Sequence, residues 1–315
     1  MTGAVAAVAN APRALVLTGP TGSGKSDWAL RLAAHWPIEI ISVDSAQVFR
    51  GMDIGTAKPS SAVRAQLPHH LLDIRDPTQR YSAGEFVRDA RAALSAVQAR
   101  GRLPVLVGGT QLYLRALLRG MAELPQASPA LRAELEAQAA THGWAALHAE
   151  LARVDARAAA KIHPHDPQRI SRALEVYRLT GRSISELQAA TRAPVEGIEW
   201  LRFALIPGDR AAHVRALEAR FAGMLEAGLL AEVAALFQRG DLHAQLPAIR
   251  AVGYRQLWAH FAGEIDLDQA RNQAVAATCQ LAKRQLTWLR AESAYQRVDP
   301  GNESAFYRML NAIRC

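Results

Sequence analysis

The stretch Arg13-Ala-Leu-Val-Leu-Thr18, followed by Gly19-Pro20-Thr21-Gly22-Ser23-Gly24-Lys25-Ser26, decides the fold of this chain. Its apolar first part is typical of a buried parallel strand. The second part matches G-x-x-x-x-G-K-[ST], in which glycines let backbone N–H groups surround phosphate oxygens. Ser26 to Ala34 then has a helical pattern, and a helix N-terminus attracts anions. We therefore expect a phosphate-binding loop (the P-loop, Gly19–Ser26), with Lys25 as a point charge and the Ser26 hydroxyl as a ligand for Mg²⁺.

Strand and helix patterns alternate over residues 1–120. Beyond the P-loop unit, the alternation predicts two strands and two helices: strands Ile38–Val43 and Leu103–Val107, and helices Ser82–Gln98 and Gln111–Gly120. Residues 51–80 are rich in Gly, Pro and polar residues and are expected to form a long ordered loop. This alternation predicts a doubly wound parallel sheet, which binds ligands at the carboxyl ends of its strands. The P-loop, Asp44 and Thr110 all fall at that edge.

The pattern changes to successive helices from Pro125 to about Ala193. Leu201–Ile206 then has a strand pattern, and helices are expected from Asp209 to the end of the chain. We predict an α/β fold with a P-loop NTPase-like parallel sheet and helices on both faces. This domain comprises residues 1–120 and 201–315, and residues 121–200 form an inserted all-helical domain.

The composition limits the class of protein. The chain has 315 residues, 50% of them hydrophobic, which suffices for a sizeable core. Cys279 and Cys315 form no Cys-x-x-Cys pair, so neither a zinc site nor a disulfide scaffold is expected. Residues 1–11 lack the basic start of a signal peptide, and no apolar run is long enough to cross a membrane. We therefore expect a cytoplasmic protein with no membrane partner.

The formal net charge is +8, and nearly all of the basic residues are Arg. Two interpretations remain open: a coding bias that replaces Lys by Arg, or an Arg-rich surface that binds nucleic-acid phosphates. Three segments concentrate such residues: Gln168–Arg172, Arg250–Arg255 and Lys283–Arg290. Each has the composition of a solvated helix surface. The alternative for Gln168–Arg172 is a phosphate-contacting face, for Arg250–Arg255 the pairing of a pyrophosphate by arginine, and for Lys283–Arg290 contact with an RNA backbone.

Asp44 is the acidic residue that we place at a strand end on the ligand-binding edge. A P-loop hydrolase usually has a carboxylate after a later strand to organise Mg²⁺ and water, whereas Leu103–Val107 is followed by Gly-Gly-Thr. An ordinary ATPase is therefore disfavoured. Asp44 is either a general base or metal support, or a turn residue. Thr110 either orients a phosphate or caps the following helix.

Taken together, these segments resemble the tRNA dimethylallyltransferase (tRNA isopentenyltransferase) family, of bacterial type. The resemblance covers nearly the whole chain, and its motifs occur in the family's order. Its carriers, besides the P-loop, are Asp44–Gln47, Gly51–Pro59, His70–Pro77, Val107–Thr110, Asp166–Glu175, Arg250–Arg255 and Leu281–Gln285.

The resemblance implies a tRNA-modifying prenyltransferase. It would transfer a dimethylallyl group from dimethylallyl diphosphate to the exocyclic amine of adenosine 37, beside the tRNA anticodon, and release pyrophosphate. Mg²⁺ is the implied cofactor, ATP or another nucleotide is a further expected ligand of the P-loop, and a monomer is expected. The implied catalytic residues are Asp44, Thr110 and Arg255, and the donor's phosphates would bind the P-loop residues Gly19, Pro20, Thr21, Gly22, Ser23, Gly24, Lys25 and Ser26. The residues implied to contact tRNA are Asp44, Ser45, Ala46, Gln47, Arg132, Gln168, Arg169, Ile170, Ser171, Arg172, Arg250, Ala251, Val252, Gly253, Tyr254, Arg255, Lys283, Arg284 and Arg290.

The sequence departs from the family pattern at three positions. Gly22 and Ser26 stand where bacterial members often have Ala and Thr, which preserves the function of the loop, and Phe49 stands where Tyr is common. Two other functions compete with prenyl transfer: a small-molecule P-loop kinase, and an RNA-binding protein with a relic P-loop. A kinase would not need an Arg-rich helical insertion, and a relic would not need Lys25 and Asp44 on one edge.

Overall fold

The computed structural model of the protein describes residues 13–122, 124–189 and 197–314. It divides into two compact units. Unit 1 comprises Met1–Ala116 and Gly197–Cys315, and unit 2 comprises Leu117–Glu196. These limits lie four residues before the domain boundaries expected from the sequence, at residues 121 and 201.

Unit 1 contains a six-stranded sheet in the order β3-β2-β4-β1-β5-β6, and every neighbouring pair is parallel. The strands are β1 Arg13–Thr18, β2 Ile38–Ser42, β3 His69–His70, β4 Leu103–Gly108, β5 Glu199–Leu205 and β6 Gln296–Val298. The predicted parallel sheet is thus confirmed, and β1 lies at its centre because its apolar residues are buried on both faces.

The helices are, in chain order, α1 Lys25–Ala33, α2 Ser61–Gln66, α3 Ala83–Ala99, α4 Gln111–Arg119, α5 Pro129–His142, α6 Trp144–Val154, α7 Ala156–Ala159, α8 Pro167–Thr180, α9 Ile184–Ala189, α10 Arg210–Glu226, α11 Leu229–Phe237, α12 Tyr254–Phe261, α13 Leu267–Arg290 and α14 Glu303–Arg314. Helices α5 to α9 belong to unit 2 and pack around a core of their own, which includes Leu135, Leu151 and Leu174. The predicted capping box at Ser82 and Glu85 is present at the start of α3.

Two sequence-based predictions about secondary structure are wrong. Residues 51–80 contain helix α2 and strand β3 in addition to loop, and the region after Asp209 contains strand β6 besides its helices. Both missed strands are short and lie at the edges of the sheet, and the residues of β6 are largely exposed. A strand of this kind has no apolar run, so the chain carries no local signal for it.

The main core of unit 1 joins the sheet to helices α1 and α14. Leu15 and Leu17 of β1 pack in one cluster with Trp28 of α1 and Phe306 of α14. This packing fixes the P-loop, because the loop connects β1 directly to α1. Among the helices that the structure describes, none combines the length and apolar character of a membrane span.

Candidate active site

The P-loop runs from the end of β1 to the first turn of α1. Gly24 is the N-cap of α1 and has a left-handed backbone (φ 76°), a conformation that glycine adopts without steric cost. The Lys25 ammonium turns back onto the loop and donates to the carbonyls of Gly19 (3.1 Å) and Pro20 (2.6 Å). The loop is therefore preformed, with its lysine held on its own backbone.

Gln285 of α13 joins the P-loop to the end of β4. Its Oε1 accepts the N–H of Thr21 (2.8 Å), and its Nε2 donates to the carbonyl of Gly109 (2.9 Å). A Cβ at Gly109 would lie 2.3 Å from that Nε2, so only glycine permits this approach. The sequence motif Leu281–Gln285 thus contributes a contact that fixes the loop, a role that the sequence alone did not indicate.

Asp44 follows β2 and is held in a tight turn. Its Oδ1 accepts the N–H groups of Ala46 (2.8 Å) and Gln47 (3.3 Å). The Thr110 hydroxyl, at the end of β4, accepts the N–H of Ser45 (3.1 Å). Oδ1 of Asp44 therefore stabilises a turn, which is one of the two roles considered for this residue. The same hydrogen bonds fix the direction of the carboxylate.

A cavity of about 470 Å³ opens at this edge of the sheet. Its polar lining residues include Thr21, Asp44, Thr110, Arg220, Arg250 and Arg284. Its apolar lining residues include Leu217, Phe221, Met224, Val252, Leu281 and Trp288. One cavity therefore offers a cationic part beside the P-loop, a carboxylate, and an apolar wall.

The electrostatics of the cavity favour an anion. Burial and the positive charge of Arg220 lower the pKa of Lys25 from 10.5 to about 8, whereas the Asp44 carboxylate acts to raise it. Burial also lowers the pKa of Arg220, against the charges of Asp44 and Asp27. Two cations that destabilise each other in the absence of a ligand would both be stabilised by a bound diphosphate.

A comparison with known protein families identifies the family to which a chain with this site belongs. The model of the family described as IPP transferase matches residues 47–292. This chain belongs to the IPP transferase family.

The relatives of this IPP transferase extend over almost its full length. It is 56% identical to the tRNA dimethylallyltransferase of Bordetella avium over 291 residues. The aligned region comprises 92% of this chain and 93% of the relative. The structure of the tRNA isopentenylpyrophosphate transferase of Bacillus halodurans superimposes on this one with a TM-score of 0.68 at 32% sequence identity. The match comprises 96% of this chain and 95% of the Bacillus halodurans chain. The corresponding transferase of Staphylococcus epidermidis has a TM-score of 0.67 at 30% identity, with 96% and 97% coverage.

The structure brings several of the predicted site residues of this IPP transferase to the cavity. These are Thr21, Asp44, Ser45, Ala46, Thr110, Arg250, Ala251, Val252, Tyr254 and Arg284. Lys283 and Arg290 are exposed on α13 and do not line the cavity, whereas Arg284 between them does. Trp288 lies at the rim, with the Arg115 guanidinium 5.7 Å from the centre of its ring.

Arg255 is not where the resemblance placed it. It is exposed and does not line the cavity, because consecutive helical residues point about 100° apart and its neighbour Tyr254 is turned into the core. Arg220 of α10 is the arginine whose charge reaches Lys25. A sequence signal for it exists: Leu217, Phe221 and Met224 form the apolar stripe of α10, and Arg220 lies within that stripe.

Two of the predicted tRNA-contacting residues of unit 2, Arg132 and Arg172, contact a buried carboxylate. Glu175 of α8 is 0% exposed and accepts from Arg132 (3.0 Å) and Arg172 (2.7 Å). Arg172 also donates to the Pro125 carbonyl (2.8 Å). Gln168 and Arg169 are exposed and Ser171 is partly buried, but Ile170 is 0% exposed and packs in the unit's core. The Ile170 side chain therefore does not face solvent, and the contact of this residue with tRNA stays a prediction.

Proposed function

We propose that this IPP transferase transfers the dimethylallyl group of dimethylallyl diphosphate to the exocyclic amine of adenosine 37 in tRNA. The single observation that carries the proposal is the shared cavity. The Asp44 carboxylate, Thr21 of the P-loop and a largely apolar wall face one open cavity. A prenyl diphosphate has matching parts: a polyanionic head, a reacting carbon and a short apolar chain.

The diphosphate head would bind at the P-loop, and the dimethylallyl chain would lie against the apolar wall. Lys25 and Arg220 would hold the diphosphate, and Thr110 would help to orient it. In the reaction, the bond between the allylic carbon and the bridging oxygen breaks, and its electron pair leaves with pyrophosphate. Negative charge grows on that oxygen, where preorganised cations stabilise the transition state most.

The amine nitrogen of adenosine forms the new bond to the allylic carbon and must lose a proton. We assign the acceptor role to Oδ2 of Asp44, because Oδ1 already accepts the backbone N–H groups of Ala46 and Gln47. The turn holds the carboxylate in one orientation, which reduces the reorganisation that proton transfer requires. The products are N6-modified adenosine, pyrophosphate and one proton, so the reaction is balanced.

Mg²⁺ is the proposed cofactor, with Ser26 as its protein ligand. No cluster of three or more His, Cys, Asp or Glu side chains suited to a metal occurs in residues 13–122, 124–189 and 197–314. Mg²⁺ typically binds through few protein oxygens together with substrate phosphates and water. The exposed Ser26 hydroxyl in the first turn of α1 supplies such an oxygen. When bound, the ion would neutralise charge on the departing pyrophosphate.

The tRNA substrate would present adenosine 37 as a flipped base, since the amine of a stacked base cannot reach a donor bound inside the cavity. Arg250 and Arg284 line the cavity and are proposed to contact the adjacent RNA backbone. The exposed residues Lys283, Gln168 and Arg169 are proposed to bind other parts of the tRNA. A tRNA substrate implies action in the cytoplasm, and we propose that the enzyme acts as a monomer.

The test is a transfer assay with the full chain, Mg²⁺, radiolabelled dimethylallyl diphosphate and an unmodified tRNA transcript that carries adenosine at position 37. A transcript with guanosine 37 is the matched control. Label is expected in the first transcript alone. Unlabelled ATP, the other ligand suggested by the P-loop motif, is added as a competitor in a further series. Absence of label from the adenosine 37 transcript contradicts the proposal.

A further inference from the structure

Glu232 of α11 binds a row of backbone N–H groups. Its Oε2 accepts from Asp53 (2.9 Å) and Ile54 (2.8 Å), and its Oε1 accepts from Gly55 (3.2 Å). Oε1 also accepts the hydroxyl of Tyr254. A single carboxylate thus satisfies four donors, three of them from consecutive residues of one loop. Concave groups of successive backbone N–H groups are anion-binding sites in proteins, and here a side chain of the same protein supplies the anion.

The loop held by Glu232 is also fixed by close packing. A Cβ at Gly55 would lie 2.6 Å from Cε2 of Tyr254 and 2.8 Å from Cδ1 of Leu229, so this residue must be glycine. Two residues later, Ala57 has a φ of 50°, in the left-handed region that residues other than glycine rarely adopt. A backbone in this conformation persists only where surrounding contacts enforce it. We therefore treat residues 53–57 as a segment that needs its anchor.

The anchored segment leads to Asp44 by a continuous set of hydrogen bonds. Gln47 donates from Nε2 to the carbonyls of Thr56 (3.1 Å) and Ala57 (3.3 Å). The backbone N–H of the same Gln47 donates to Oδ1 of Asp44 (3.3 Å). Gly55 and Thr56 also form part of the cavity wall. Glu232 is thus connected to Asp44 through residues 53–57 and the side chain and backbone N–H of Gln47.

We propose that Glu232 is a positioning residue for Asp44. It acts through residues 53–57 and Gln47 and sets the orientation in which the carboxylate meets the substrate amine. Helix α11, which supplies no residue to the cavity lining, thereby controls the proton-accepting group. The inference rests on the proposed transfer reaction, because it is the role of Asp44 in that reaction that gives the orientation a consequence.

The variant Glu232→Gln tests the inference with little change in shape. The amide can offer its oxygen to one pair of donors, but its NH₂ group then faces the other pair. Because hydrogen bonds to a charged acceptor are lost, we expect kcat to fall about 10- to 100-fold. The KM values for donor and tRNA should stay within about threefold, since the change affects the transition state more than substrate binding.

Hydrogen exchange supplies a readout that does not depend on activity. In Glu232→Gln, the amides of Asp53, Ile54 and Gly55 should exchange at least about tenfold faster than in the wild type, because their charged acceptor is lost. The matched control is Glu226→Gln, which removes the same charge from an exposed position on the neighbouring helix α10. It should leave both kcat and the exchange of this segment unchanged.

A second variant keeps the inference testable if Glu232→Gln does not fold. Tyr254→Phe removes one donor to Oε1 and leaves the ring that packs on Gly55, so kcat should fall about 3- to 10-fold. Unchanged kcat in Glu232→Gln, or unchanged kcat in Tyr254→Phe, overturns the inference. So does a fall in kcat without faster exchange of the amides of Asp53, Ile54 and Gly55. A wild-type enzyme that transfers no prenyl group would instead refute the proposed function, and the same series of assays shows this.

Discussion

Binding of a diphosphate to the P-loop should be accompanied by the uptake of a proton at Lys25. In the absence of a ligand, burial and Arg220 lower the pKa of this ammonium to about 8. A bound diphosphate brings negative charge into contact with it, which raises the pKa again. At a pH above the pKa of Lys25 in the free protein and below its pKa in the complex, the free protein carries mainly neutral lysine and the complex carries the ammonium ion. The proton must then be taken from the solvent.

The size of the effect follows from the pKa of about 8. At pH 8.5, about three quarters of the free protein has a neutral Lys25, so binding should take up about 0.7 of a proton. At pH 7 the uptake should be only about 0.1 of a proton. Because the protonated form binds, the apparent Kd should rise about tenfold between pH 7 and pH 9, equivalent to about 1.4 kcal/mol.

The assay is isothermal titration calorimetry with dimethylallyl diphosphate and Mg²⁺, without tRNA. At pH 8.5, heats measured in buffers of different ionisation enthalpy give the number of protons taken up. Lys25→Met is the control and should bind more weakly with no uptake at this pH. Arg220→Met should reduce the uptake at pH 8.5, because loss of the neighbouring charge raises the pKa of Lys25 in the free protein. Binding by the wild type without uptake, or equal uptake by Lys25→Met, refutes the reasoning.

Four other variants test separate parts of the account. Asp44→Ala should reduce turnover by about 100-fold or more, because a general base is lost, while tRNA binding measured by filter retention persists. Near-normal turnover would show that Asp44 accepts no proton. Gln285→Leu removes two hydrogen bonds that fix the P-loop, so the KM for the donor should rise about tenfold, and an unchanged KM would mean that the loop needs no such support. Arg255→Ala should leave the KM for the donor within about threefold of the wild type, whereas Arg220→Met should raise it more than about tenfold; the reverse order would restore the sequence-based assignment. Glu175→Gln should lower the free energy of unfolding, measured by urea denaturation, by about 2–3 kcal/mol, because two arginines lose a buried partner. The exposed control Glu134→Gln should change it by less than about 0.5 kcal/mol, and equal effects of the two variants would contradict the role of Glu175.

The parts of the site that the sequence predicts are those with local signals. The P-loop is a contiguous motif, and Asp44 and Thr110 directly follow apolar strands. Because parallel strands end at the same edge of a sheet, their neighbours along the chain become neighbours in space. No side-chain packing is needed for that deduction, which is why the sheet and its binding edge were predictable.

The parts that the sequence does not predict depend on tertiary contacts. Arg220 lies within the apolar stripe of α10, which indicates that it faces the interior, but only the packing of α10 and α12 shows that Arg220 rather than Arg255 approaches Lys25. Glu232 resembles any acidic residue on a helix surface until Asp53–Gly55 is placed against it. Likewise, the spacing of Arg172 and Glu175 on α8 is visible in the sequence, but that Arg132 of α5 shares the same carboxylate becomes evident only once α5 and α8 are packed.

The central claim is that this cavity joins a prenyl group to adenosine 37 with the loss of pyrophosphate. The most direct measurement is mass spectrometry of the nucleosides and oligonucleotides from tRNA treated with the enzyme, dimethylallyl diphosphate and Mg²⁺, with pyrophosphate determined in the same samples. The account predicts one modified adenosine, at position 37, for each pyrophosphate released. Pyrophosphate release without modified adenosine, or a modification at another nucleotide, would contradict it.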